Sequence, residues 1–142
     1  VELTPLPIAC AQPRFAARSP RALELLAHEA WLEGCLNEGA AAEEARLAAE
    51  DAEGAVSHML ATIARDEHRH AELSWAVLAW LFEVAPATRR AVAGAPVLQP
   101  NVIEPPVDRA VVRRGVPASQ ITAAARSHAE TEARVRLRTL AA

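Results

Sequence analysis

The chain has 142 residues, of which 51% are hydrophobic and 23% are charged, and its formal net charge is −3. This length suits a single domain with a modest core. The basic residues are all arginine and are scattered along the chain, which argues against the basic stripe of a nucleic-acid-binding protein. No run of about 18 apolar residues occurs, so we expect no membrane span.

The first part of the chain predicts an arm followed by a long helix. Residues 1–19 contain three prolines and no sustained hydrophobic period, which indicates an extended arm. Ser19 and Pro20 then have the residue types of a helix cap and a first helical position, and the helix is predicted to run to about residue 52. Gly34 and Gly39 lie inside it. They mark either a bend or a place where a neighbouring helix or a metal ligand approaches closely.

The rest of the chain predicts a second long helix and a separate C-terminal helix. Glu53 and Gly54 form a turn, and the second helix extends from about residue 55 to residue 84, before Pro86. Five prolines between residues 96 and 117 predict a segment without regular structure. We therefore divide the chain into an extended Pro-rich arm (1–19), a helical hairpin (20–85), a Pro-rich connection with a short helix at 87–93 (86–117) and a C-terminal helix (118–142).

One carboxylate and one imidazole in the second helix are spaced to act together. Glu67 and His70 are three residues apart, so their side chains share a helix face about one turn apart. That face is otherwise apolar and is predicted to point into the core. A buried carboxylate needs a cationic partner, a shared proton or a metal ion. Glu-x-x-His on an inward-facing helix is also the form in which four-helix bundles present ligands to iron or manganese.

A second carboxylate, Glu38, is predicted to lie opposite this pair. It sits in the small-residue stripe of the first helix, about 15 residues before the turn, and Glu67 is about 14 residues after it. At a rise of about 1.5 Å per residue, both are roughly 20 Å from the turn. A glutamate facing Glu-x-x-His across an antiparallel hairpin provides half of a carboxylate-bridged dimetal site.

These segments resemble the second helix pair of bacterial ferritin-like domain proteins, a group within the di-iron carboxylate superfamily. Residues 33–38 read Glu-Gly-Cys-Leu-Asn-Glu, and residues 66–71 read Asp-Glu-His-Arg-His-Ala. The resemblance covers roughly residues 22–83. It implies an all-α fold, a ferritin-like antiparallel hairpin or partial four-helix bundle with an additional C-terminal helix.

The resemblance also implies that Glu38, Glu67 and His70 are metal ligands. Iron, as a di-iron pair, is the expected cofactor, with manganese or zinc as alternatives. The implied activity is that of a di-iron oxidase, ferroxidase or peroxidase. The chain supplies only half of such a site, so either a missing N-terminal helix pair or a second copy in a homodimer would complete it.

Other interpretations of the same residues remain open. The glutamates and the histidine could fix the register of a non-catalytic helical scaffold or interaction module without metal. Glu67 and His70 could pair with Arg65 or Arg69, or the stripe could be rotated so that both lie at a solvated boundary. His128 could also join the ligands in a mononuclear zinc site. We expect a cytoplasmic protein, or an exported or lipid-anchored one if an N-terminal signal has been removed.

Overall fold

The computed structural model describes residues 20–95 and 108–141, and within these ranges the protein is all-α, as predicted. The predicted N-terminal arm and the middle of the Pro-rich connection lie outside the described residues. The helices are α1 (Pro20–Glu29), a π-helical segment (Ala30–Glu38), α2 (Gly39–Asp51), α3 (Gly54–Val84), α4 (Thr88–Ala93), α5 (Arg109–Val112) and α6 (Ser119–Ala141).

The first long helix is not α-helical throughout, which differs from our prediction. Its central nine residues, Ala30–Glu38, form a π-helix. In a π-helix the hydrogen bonds run from i to i+5, so each turn takes an extra residue and the side chains that follow are rotated about the axis. Ala41, which the α-helical spacing assigns to the interior, is exposed, whereas Ala42 is buried. This difference is local, because Ala45 and Ala48, further along the helix, are buried at the positions that α-helical spacing assigns to the interior.

The first helix and α3 form the predicted antiparallel hairpin. The chain reverses at Ala52 and Glu53, whose backbones are extended, and Gly54 adopts a φ of +57°, a conformation that glycine takes at little cost. The π segment and α2 both pack against α3. The core of the hairpin includes an edge-to-face contact between Trp31 and Trp75, with ring centroids 6.0 Å apart.

At Gly34 the two long helices approach each other closely. A Cβ atom built on Gly34 would lie 1.9 Å from Ser74 Oγ and 2.2 Å from Ser74 Cβ. Of the two roles considered for this glycine, the structure supports the close approach of a neighbouring helix. Gly39 is different, because a Cβ there would make an ordinary 4.0 Å contact with Ala129 Cβ.

The C-terminal helix α6 packs against α2 and the π segment and forms the third long element. Arg136 connects it to α3. Its guanidinium lies 4.7 Å from the centroid of the Trp75 ring and donates hydrogen bonds to both carboxylate oxygens of Glu72, one of them from Nη2 at 2.9 Å. A cleft of about 1000 Å³ lies between α3 and α6, with alanines of α2, α3 and α6 in its lining.

Arg136→Ala is expected to lower the free energy of unfolding by about 1–2 kcal/mol. The change removes a cation–π contact and an ion pair, and the ion pair contributes little because both partners are about half exposed. Arg134→Ala is the matched control, since Arg134 is similarly exposed but pairs with Glu130 inside α6. It should cost less than about 0.5 kcal/mol. Urea denaturation followed by circular dichroism measures both, and equal losses would contradict a docking role for Arg136.

The connection between the hairpin and α6 is partly helical. α4 agrees with the predicted short helix at 87–93 to within one residue. α5 is a single helical turn that was not predicted, because its region was expected to be irregular. Its signal in the sequence is Asp108, whose side chain accepts a hydrogen bond from the backbone N–H of Ala110 at 2.7 Å as an N-cap. No helix in the described ranges is long and apolar enough to cross a membrane.

Candidate metal centre

The three residues predicted as metal ligands lie together. Glu38 is the last residue of the π segment, and Glu67 and His70 lie one turn apart in the middle of α3. His70 Nδ1 is 3.3 Å from Glu38 Oε2 and 3.5 Å from Glu67 Oε2. One candidate ligand atom from each side chain lies within 4.8 Å of the other two. The predicted level position of Glu38 and Glu67 across the hairpin is therefore correct.

The two carboxyl groups interact directly. The pKa of Glu38 is raised, first by a hydrogen bond between its side chain and that of Glu67 and then by burial. The same hydrogen bond holds the pKa of Glu67 below its usual value. Because two nearby carboxylates repel each other, the last proton leaves the pair less readily than it leaves an isolated glutamic acid. A divalent cation would relieve the same repulsion.

The triad of Glu38, Glu67 and His70 is more exposed than we expected from the apolar face. The exposed fractions of the three side chains are 36%, 29% and 61%. The reason is the position of α6, which packs on α2 and the π segment and leaves this side of α3 open. The triad thus lies at an open edge of the hairpin, with the imidazole outermost.

The donor set fits a first-row divalent metal ion. Two carboxylates and one imidazole are ligands that iron, manganese and zinc accept, at distances of about 2.0–2.2 Å. Small side-chain rotations would bring the three donors to those distances from one ion. Three protein ligands leave coordination positions open, as in sites where a metal also binds water or a substrate.

The nearby arginines do not neutralise the triad. Arg69 pairs with Asp66 at 3.0 Å, and Arg65 donates a hydrogen bond to Thr62. The alternative in which one of them forms an ion pair with Glu67 is therefore not what the structure contains.

His128 does not join the triad within the described residues, so the alternative of a mononuclear zinc site completed by this histidine has no support in a single chain. Its Nε2 is 3.6 Å from Glu132 on α6, and it lines the cleft between α3 and α6. His68, the other histidine near the motif, lines the same cleft. Within the described residues the chain therefore supplies one group of three such side chains that could hold a metal ion.

Cys35 precedes Glu38 in the motif but belongs to the core. Its side chain is buried, and burial raises the pKa of the thiol to about 12, so it stays protonated at neutral pH. It is not a metal ligand in this arrangement. Cys10, its only candidate for a disulfide, lies outside the described residues.

Sequence reasoning missed the contacts of Arg136 with Glu72 and Trp75. Arg136 lies 64 positions after Glu72 and 61 positions after Trp75, and the only signal in the sequence was an arginine in a helix with an apolar neighbour.

Comparisons with family models, curated proteins and solved structures find no match to this chain.

Proposed function

We propose that the protein binds a divalent transition-metal ion through Glu38, Glu67 and His70. The observation that carries the proposal is the convergence of these side chains from two helices, with each candidate ligand atom within 4.8 Å of the others. The resemblance of the two motifs to those of ferritin-like proteins supports iron as the metal. Manganese and zinc suit the same donor set.

The proposed reaction class is that of a di-iron oxidoreductase. Two irons held by shared carboxylates supply two-electron chemistry with O2 or peroxide, as an oxidase, ferroxidase or peroxidase requires. In this role Glu38 and Glu67 would hold the irons through their carboxylates, and His70 would add an imidazole nitrogen. The open face beside the triad gives small molecules direct access to the site.

The second candidate is a helical interaction module in which the triad has no metal. The observation that favours it is the number of large apolar side chains exposed on α3, among them Met59, Leu73 and Val84. Under this hypothesis the Glu38–Glu67 hydrogen bond would serve helix register alone. The two candidates differ in whether a divalent ion binds the native protein.

A titration with Mn(II), followed by the electron paramagnetic resonance of the free aqueous ion, tests the proposal. We expect saturable binding of about one ion per chain. At a free Mn(II) concentration of about 100 times Kd, the free energy of unfolding should rise by about 2.7 kcal/mol, since the ion binds the native state. If the signal of free Mn(II) rises in proportion to the Mn(II) added, and the melting temperature does not change, metal binding is rejected and the interaction module is favoured.

A further inference from the structure

The cleft between α3 and α6 exists because the helix beneath it presents very small residues. α2 packs against both α3 and α6, which make little backbone contact with each other. Gly39, Ala42 and Ala49 of α2 form part of the floor, and they are too short to fill a space of about 1000 Å³. No member of the triad lines this space. The cleft is therefore a separate place at which a ligand could bind.

The cleft is long and narrow. Its lining on α3 runs from Ala61 to Trp75, which at about 1.5 Å per residue is roughly 21 Å. Its volume spread over that length corresponds to a width of about 8 Å. An α-helix with its side chains is about 10–12 Å across. A helix is therefore too wide to enter the cleft, whereas a slender chain fits.

The floor of the cleft suits an alkyl chain better than an extended peptide. The backbone groups of α2, α3 and α6 are bonded within their own helices, and the alanine side chains between them are apolar. An extended peptide would leave its own N–H and C=O groups without partners on this floor. An alkyl chain needs no such partners, and it gains free energy by covering the alanines and Trp75.

One cation on the wall of the cleft has no acidic partner among the described residues. The arginines that line the cleft are Arg46, Arg65, Arg69 and Arg136. All but Arg65 form ion pairs with a glutamate or an aspartate. The guanidinium of Arg65 donates a hydrogen bond to Thr62 Oγ1 at 3.0 Å, which leaves its charge unpaired. A guanidinium carries several further donors in a fork that matches a carboxylate.

We propose that the cleft binds a single-chain amphipathic carboxylate, an anion of the fatty-acid class. Its carboxylate pairs with Arg65, and its alkyl chain lies on the alanine floor toward Trp75. That stretch of α3 is 10 residues, or roughly 15 Å, long. Arg136 closes its far end, because it reaches from α6 to Glu72 and to the Trp75 ring. This site does not depend on the proposed metal centre.

Isothermal titration calorimetry with dodecanoate, below its micelle concentration and with a chelator present, measures the binding. We expect saturable binding of about one dodecanoate per chain. Dodecyltrimethylammonium has the same alkyl chain and the opposite charge, and it should bind at least about tenfold more weakly. The chelator keeps metal ions out of the measurement, so the result is independent of the triad.

Two pairs of variants locate the head and the chain of the ligand. Arg65→Gln should weaken dodecanoate binding at least about tenfold, because it removes the charge that pairs with the carboxylate. Arg126→Gln is its control, since Arg126 is exposed on α6 and outside the lining. Ala64→Phe should abolish saturable binding by filling the cleft. Ala76→Phe is the matched control, because Ala76 is exposed on α3 away from the cleft.

The controls should bind dodecanoate as the wild type does, and circular dichroism checks that each variant is folded. Absence of saturable dodecanoate binding by the wild type would overturn the proposal. Equal affinities in Ala64→Phe and Ala76→Phe would also overturn it, because the alkyl chain would then lie elsewhere. Equal binding of dodecanoate and the dodecyl cation, or an unchanged affinity in Arg65→Gln, would reject the carboxylate head at Arg65.

Discussion

Glu67→Gln is expected to weaken Mn(II) binding by at least about 100-fold. Glu67 shares a hydrogen bond with Glu38 and lies 3.5 Å from His70 Nδ1, so its carboxylate contacts both other members of the triad. Glutamine preserves the shape of the side chain but removes the negative charge, and a neutral amide is a poor ligand for a divalent ion. Competition against a chelating indicator of known affinity measures the change.

Two neighbours on the same helix provide the controls. Asp66→Asn removes an equal charge one residue away, from a side chain that is 55% exposed and paired with Arg69. His68→Ala removes an imidazole from the cleft and is the counterpart of His70→Ala. Both controls should bind Mn(II) within about threefold of the wild type, whereas His70→Ala should lose at least about tenfold. Equal losses in Glu67→Gln and Asp66→Asn would show that negative charge near the helix, and not the triad, attracts the ion.

Gly34→Ala is expected to lower the free energy of unfolding by about 2–3 kcal/mol, although alanine favours a helix. The new methyl group would overlap Ser74, because the ideal position of a Cβ on residue 34 lies 2.2 Å from Ser74 Cβ. The two helices would therefore have to separate. The separation would loosen the Trp31–Trp75 contact in the same layer. Urea denaturation gives the loss directly.

A second glycine and a double variant complete this test. Gly39→Ala meets only Ala129 at 4.0 Å, so it should be neutral or should stabilise the protein by up to about 1 kcal/mol. Gly34→Ala combined with Ser74→Gly removes the overlapping side chain, and it should recover at least half of the loss despite the added glycine. Similar losses for the two single variants would contradict a specific close approach at Gly34.

The hairpin and its triad could be predicted from the sequence because both follow from helix arithmetic. The turn at Gly54 is marked by local residue types, and a constant rise per residue then places Glu38 level with Glu67. The three-residue spacing fixes His70 on the face of Glu67. None of these steps needs knowledge of a distant contact.

Other features depend on tertiary packing and could not be predicted. The π segment contains no residue that forbids an α-helix, and beyond it Ala45 and Ala48 are buried where α-helical spacing predicts, so the hydrophobic pattern gives no sign of it. The exposure of the triad depends on which side of the hairpin α6 covers, and that side is set in part by Arg136. Periodicity shows that a helix has an apolar face but not which element covers it.

Native mass spectrometry of protein loaded anaerobically with Fe(II) tests the central claim most directly, because it counts ions and chains in one particle. The account predicts about one iron per chain in the wild type and no retained iron in Glu67→Gln. A wild-type protein that retains no iron after buffer exchange, or a Glu67→Gln variant that retains as much as the wild type, would contradict it.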